Sequence, residues 1–185
     1  VMVEMSQLTQ LLESENEGAW RDSLFSMARQ QGFDQVLYGV VSSRQAKLES
    51  AFLQSNYSAS WRDRYDADLL HYVDPTVTHC LKSSVPIVWQ PETFDTAPRQ
   101  REFYEEACGH GIRSGVTFPI HGPNGEFGVV SFASDTLPDK REAAQAMAGL
   151  ALIRDYAFES SLKFVKPAEV AAAAADRPRL TKREL

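Results

Sequence analysis

Apolar residues at Leu8, Leu11 and Leu12, and again at Trp20, Leu24, Met27 and Ala28, recur at the spacing that lines one side of a helix. Gly32 follows the second run as a stop signal, so two amphipathic helices open the chain. The period then changes. Residues 35–41 and 47–53 are short, rich in Val, Leu, Tyr and Phe, and bounded by polar breaks, which predicts two strands joined through 42–46. Ser58 can cap a helix carrying Trp61 and Tyr65 four apart on one side, and Asp74 before Pro75 has the order of another helix start. A strand over 86–89 and a helix over 99–110, stopped at Gly111, come next. Strands over 115–121 and 126–134 follow, joined by Gly122, Pro123, Asn124 and Gly125, whose Asn-Gly pair predicts a tight hairpin turn. Pro138 then opens a long helix with Ala143, Met147, Leu150, Ile153, Ala157 and Leu162 in an apolar stripe.

This order predicts an α/β (α+β) fold: an α-β-α sandwich in which a central antiparallel sheet of about five strands carries helices on both faces. With 43% apolar residues the chain can bury one sizeable core, expected over residues 1–165. After Lys166 and Pro167 the texture becomes that of a linker, 166–179, which includes the alanine run from Ala171 through Ala175. Residues 180–185 form a separate charged tail. Val1 is an unusual start and Leu185 ends inside what reads as another element, so the chain is expected to be an excised piece.

Charge and rare residues narrow the function. A net charge of −6 lacks the basic excess that binding phosphates demands; any DNA reading is expected to lie outside this segment. No apolar run reaches a membrane span and the first residues lack signal-peptide order, so the expected compartment is the cytoplasm. Cys80 and Cys108, together with His71, His79, His110 and His121, show no metal-ligand spacing. Ser131 has no nucleophile-elbow setting. Neither a metal, nor a cofactor, nor an enzyme activity is expected.

The chemistry concentrates between Asn56 and Trp89, where Tyr57, Trp61, Arg62, Tyr65, Asp74, Thr76 and Trp89 combine aromatic faces with a few hydrogen-bonding groups. That is the makeup of a small-molecule pocket. The residues alone leave a second reading open, in which the rings are plain core and Asp74 only a helix cap. Asn56 and Tyr57, then Trp61, Tyr65, Asp74, Pro75, Trp89, Gly111 and Gly115, agree in order and spacing with the signature of LuxR-type autoinducer-binding domains. The resemblance runs from about Trp20 through Phe158 and is closest to the LasR branch in 56–80 and 103–106. Residues 180–185 resemble the first residues of the family's helix-turn-helix DNA-binding domain.

The resemblance implies the signal-binding and dimerisation half of a quorum-sensing transcription regulator, with an N-acyl-homoserine lactone as ligand. Its partners would be a second copy of the chain and, through a domain beyond Leu185, promoter DNA. It further implies that Trp61 donates its indole N–H to the lactone carbonyl, Asp74 accepts the ligand amide N–H, and Tyr57 donates to the amide carbonyl. Ser131 and Thr76 would add hydroxyls near the amide, Arg62 would reach a 3-oxo group, and Tyr65 and Trp89 would wall the ring end. Leu37, Gly39, Leu48, Ala51, Val77, Phe103, Ala107, Ile112, Thr117, Phe127 and Val129 are candidates for the acyl tunnel. A long 3-oxo chain is expected from the LasR likeness. The alternatives are a LuxR-type sensor of another small molecule and a GAF-like or PAS-like dimerisation module.

Overall fold

The computed structural model describes residues 2–136 and 140–167. Helices α1 (Met5–Glu13) and α2 (Glu17–Gln30) lead into strands β1 (Gln35–Val41) and β2 (Phe52–Ser55). Helices α3 (Ala59–Ala67) and α4 (Pro75–Lys82), strand β3 (Ile87–Trp89) and helix α5 (Pro98–Gly109) follow. Strands β4 (Ser114–His121) and β5 (Phe127–Ser134) then precede the long helix α6 (Lys140–Ser161). The element order is the one that the hydrophobic pattern predicts. The strands form one antiparallel sheet in the order β2-β1-β5-β4-β3.

Helix boundaries follow from local chemistry. The Asn16 side chain accepts the Ala19 N–H at 2.9 Å and starts α2, and Ser58 does the same for α3 through the Trp61 N–H. Gly32 and Gly111, at φ of +92° and +78°, take the left-handed turn that ends α2 and α5, where a side chain would be strained. Period-two alternation then splits the sheet into two faces. Val36, Tyr38, Val40, Val116, Phe118, Ile120, Val130 and Phe132 form the main core with Leu8, Leu11, Trp20, Leu24, Leu150 and Ile153 of α1, α2 and α6. The opposite face carries Leu37, Gly39, Thr117, Val129 and Ser131; α4 lies against β4 and β3, and Trp61 of α3 with Phe103 and Ala107 of α5 clusters with Ala133 of β5.

One local expectation is corrected. The second strand, expected over 47–53, begins only at Phe52. Leu48–Ser50 forms a 3-10 turn instead, because the Ser50 hydroxyl bonds back to the Lys47 carbonyl at 2.6 Å and competes with strand pairing. The expected tight hairpin joins β4 to β5, closed by the Gly125 N–H donating to the Gly122 carbonyl at 3.2 Å. Residues 122–126 intervene, Gly125 alone among them has a positive φ, and the Asn124 backbone and side-chain amides both donate to the Glu126 carboxylate. The expected helix start at Pro138, the linker beyond residue 167 and the tail at 180–185 lie outside the described residues. Among the described residues no helix is long and apolar enough to cross a membrane.

Gly115 shows how tightly the α3–α5 face is built. A Cβ there would overlap the Phe132 carbonyl oxygen and stand 2.5 Å from the Trp89 ring. Gly115→Ala is expected to cost about 1 to 3 kcal/mol, the usual penalty for overfilling a packed site. Urea unfolding checks this, and an unchanged midpoint would mean that the ring is not seated on the strand.

Candidate functional site

Helix α3 and the residues before it supply most of the site. Trp61, 2% exposed, packs against Tyr65 and Phe103 with ring centroids 6.0 and 5.6 Å away. Trp89 and Phe94 meet edge to face at 6.0 Å in the same cluster, which also holds Leu70, Ala107, Ile112 and Ala133. A smaller cluster of Val41, Cys80 and Phe127, with Ala51 and Val129 against it, forms further along the same face. Between the two, register aligns Leu37, Ser131 and Thr117 across β1, β5 and β4, and sets Gly39 opposite Val129.

The polar groups are few and only partly satisfied. Asp74 caps α4 with one oxygen, Oδ1, which accepts the Thr76 N–H at 2.8 Å and the Thr76 hydroxyl at 2.7 Å. Its Oδ2 accepts the Tyr65 hydroxyl at 3.1 Å. Trp89 donates its indole N–H to Thr117 Oγ1 at 3.0 Å, and Thr117 pairs with Ser131 Oγ at 2.8 Å. The Tyr57 phenol lies beside Ser131. In contrast with Trp20 and Trp89, whose indoles donate to Ser160 and Thr117, the Trp61 indole N–H has no acceptor among the described residues. Arg62 lies over the Tyr65 ring at 5.2 Å and bonds Asp66 through Nη2, while its Nε is buried without a partner.

Burial dominates the electrostatics. It raises the Tyr57 and Tyr65 phenols above their ordinary value, with the Asp74 charge adding to the effect. It also raises the Asp74 carboxyl, against the opposing hydrogen bonds from Thr76 and Tyr65. Tyr57, Tyr65 and Asp74 nevertheless retain accessible surface, as do Leu37, Gly39, Val77, Val129 and Ser131 on the elements around them. Apolar side chains and spare hydrogen-bonding groups thus lie beside one carboxylate on this face, the makeup of a small-molecule site. Burial also pushes the Cys80 thiol up to about 12, which leaves it an inert wall residue.

A raised folded-state value means that the folded protein holds the Asp74 proton more tightly than the unfolded chain. Its contribution to stability is therefore complete below the ordinary carboxylate range and is lost as pH rises through the raised folded value. Asp74→Asn, which keeps the Oδ1 acceptor without the charge, should gain stability relative to the parent as pH rises toward neutrality. Urea midpoints of both proteins across that range test this, and parallel curves would count against a buried charge.

The predicted residues fall into this arrangement unevenly. Tyr57, Trp61, Arg62, Tyr65, Asp74, Thr76, Trp89, Phe103, Ala107 and Ile112 surround the aromatic end, while Phe127, Val129 and Ala51 stand at the other. Thr117 belongs to a hydroxyl chain rather than to an apolar wall. Leu48 lies on the surface, 52% exposed, because its segment turns away before β2 begins. Phe94, Leu70 and Ile87 were missed. Phe94 comes from a Pro-containing loop whose reciprocal Gln90 and Thr93 cap fixes a 3-10 turn, and that cap was the available signal. Cys80 stands four residues after Thr76, one turn along the same buried side of α4, and was read only as a thiol. Among the described residues no group of three or more His, Cys, Asp or Glu could hold a metal. An open groove of about 860 Å³ in the other helical layer, between α1 and α2, is lined by Ser6, Gln10, Glu13, Asn16, Asp22 and Ser26, and has none of these aromatic walls.

The autoinducer binding domain family matches residues 16–161. The transcriptional activator VanR of Vibrio anguillarum is 36% identical over 110 residues, covering 57% of this chain and 44% of VanR. The N-acylhomoserine lactone dependent LuxR family transcription factor CepR2 of Burkholderia cenocepacia has a similar fold. Its TM-score is 0.73 at 21% identity, over 85% of this chain and 93% of that chain. SdiA in complex with octanoyl-rac-glycerol gives a TM-score of 0.72 at 20% identity, over 96% of this chain and 70% of that chain. The chain spans about half the length of the curated relatives it matches.

Proposed function

Since this chain belongs to the autoinducer-binding domains of LuxR-type quorum-sensing transcription regulators, a family of signal-binding domains and not of enzymes, we propose that it encloses an N-acyl-homoserine lactone between its sheet and helices α3 to α5. One observation carries this reading. Tyr57, Trp61 and Asp74, each with hydrogen-bonding capacity left over, share a face lined otherwise by apolar side chains and the Thr117 and Ser131 hydroxyls. A lactone carbonyl, an amide N–H and an amide carbonyl are the complementary set: Trp61 donates to the first, Asp74 accepts from the second, and Tyr57 donates to the third. Ser131 and Thr76 steady Tyr57 and Asp74 from behind.

The same geometry supports a reading of the chain length and substituent. The unpartnered Nε of Arg62 offers a donor to a 3-oxo group. Each tail methylene buried toward Cys80 and Phe127 adds about 0.8 kcal/mol, which favours a long chain. Receptor and promoter would be linked through a homodimer and a DNA-binding domain outside this segment, which spans about half the length of its curated relatives.

The test is to express the chain in cells supplied with a mixture of acylated lactones and extract the purified protein for mass spectrometry. A long-chain 3-oxo lactone at about one equivalent is expected. Recovery of a monoacylglycerol, the ligand class named for the SdiA complex, would keep the pocket and replace the ligand. Soluble protein with no bound small molecule would overturn the reading.

A further inference from the structure

Trp61 is held in place by a residue with no part in the ligand-binding reading. His110 follows Gly109 at the end of α5, and its imidazole lies across the Trp61 indole with centroids 5.3 Å apart and planes inclined by 34°. Its Nδ1 is 2.9 Å from Ser58 Oγ, the cap oxygen of α3. That same oxygen accepts the Trp61 backbone N–H at 3.3 Å. His110 therefore grips one residue twice, on its ring directly and on its backbone through Ser58.

The hydrogens fit. Ser58 Oγ accepts from the Trp61 backbone N–H and shares a second hydrogen bond with Nδ1, in which either partner can donate according to the imidazole tautomer. The other rings touching Trp61 are Phe103 and Tyr65, at 5.6 and 6.0 Å, so losing the imidazole would open one of three aromatic walls around the indole. The Arg64 to Glu106 ion pair, 2.7 Å, joins the same two helices but is substantially exposed and fixes orientation only weakly.

We propose that His110 is a positioning residue for signal recognition: stacked on Trp61 and bonded to the α3 cap, it sets the direction of the indole N–H without itself touching the ligand. This rests on the reading that Trp61 donates to the lactone ring carbonyl. The consequence is selective. A misaimed indole weakens ligands that carry the ring carbonyl and spares those that lack it.

The experiment measures affinity for two ligands sharing one acyl chain, the homoserine lactone and the cyclopentyl amide, which keeps ring size and amide but has no ring carbonyl. His110→Ala and His110→Gln are expected to weaken lactone binding about tenfold, while the cyclopentyl amide stays within about twofold. His110→Phe, which keeps an aromatic face on Trp61, should recover most of the lactone affinity. Trp61→Phe should abolish the preference for the lactone. If Trp61→Phe leaves that preference intact, the underlying assignment of Trp61 fails. If Trp61→Phe removes it while the His110 variants keep it, or lose both ligands equally, the positioning role is overturned.

Discussion

Asp74→Ala should lower affinity for an N-acyl-homoserine lactone by about ten- to a hundredfold or more, the largest loss expected of any single side chain in the site. A hydrogen bond to a charged group contributes about 1.5 to 3 kcal/mol, and about 1.4 kcal/mol is a factor of ten. The variant also removes the acceptor that caps α4, at a further cost of about 1 kcal/mol in stability. Asp74→Asn separates the two effects. Its side-chain oxygen can still accept the Thr76 N–H, so the cap survives, but the acceptor offered to the ligand is neutral and an amide N–H now competes for the same space. Calorimetric titration with a long-chain lactone, alongside urea unfolding, should show weak binding in both variants and loss of stability only in the alanine. If both bind as tightly as the parent, no carboxylate holds the ligand amide.

The same residue shows where sequence reading succeeds and where it stops. Asp74 followed by Pro75 reads as a helix start, and the structure makes it one. Which oxygen does the capping is invisible in the sequence, so a cap and a cap that also faces a ligand look alike. The resemblance to a known family, not spacing or composition, singled out Tyr57, Trp61 and Asp74 together. Elements governed by local rules were legible: the short apolar run of β1, the Ser58 and Asp74 caps, and the glycines that end α2 and α5. Features decided by distant partners were not. His110 offered only an absence of metal spacing, because its significance lies in Trp61 and in Ser58, 52 residues earlier in the chain. His79 and His121 spend a ring nitrogen on backbone carbonyls of Val85 and Ser83, a use that no motif announces. Leu48 was misread because a run of strand-forming residues says nothing of the serine hydroxyl that bends it.

Ligand should raise the melting temperature by about 8 to 16 °C at a thousandfold excess over its dissociation constant. A ligand bound only by the folded state adds about 4.1 kcal/mol at that excess, and each kcal/mol moves the midpoint of a chain this size by about 2 to 4 °C. The shift has two physical sources in this fold. One is the apolar surface between the Trp61 and Cys80 clusters, against which an acyl chain would pack. The other is Asp74, whose Oδ2 accepts the Tyr65 hydroxyl and whose buried charge a ligand amide N–H would stabilise further. The two are separable by choice of ligand at equal saturation. A long-chain lactone engages both, whereas the matching free fatty acid fills the tail space but brings a second negative charge toward Asp74. Thermal scans should therefore show a large shift with the lactone and little or none with the acid. Equal shifts from the two would mean that the tail alone drives binding, and the carboxylate at the centre of the site would have no part in recognition.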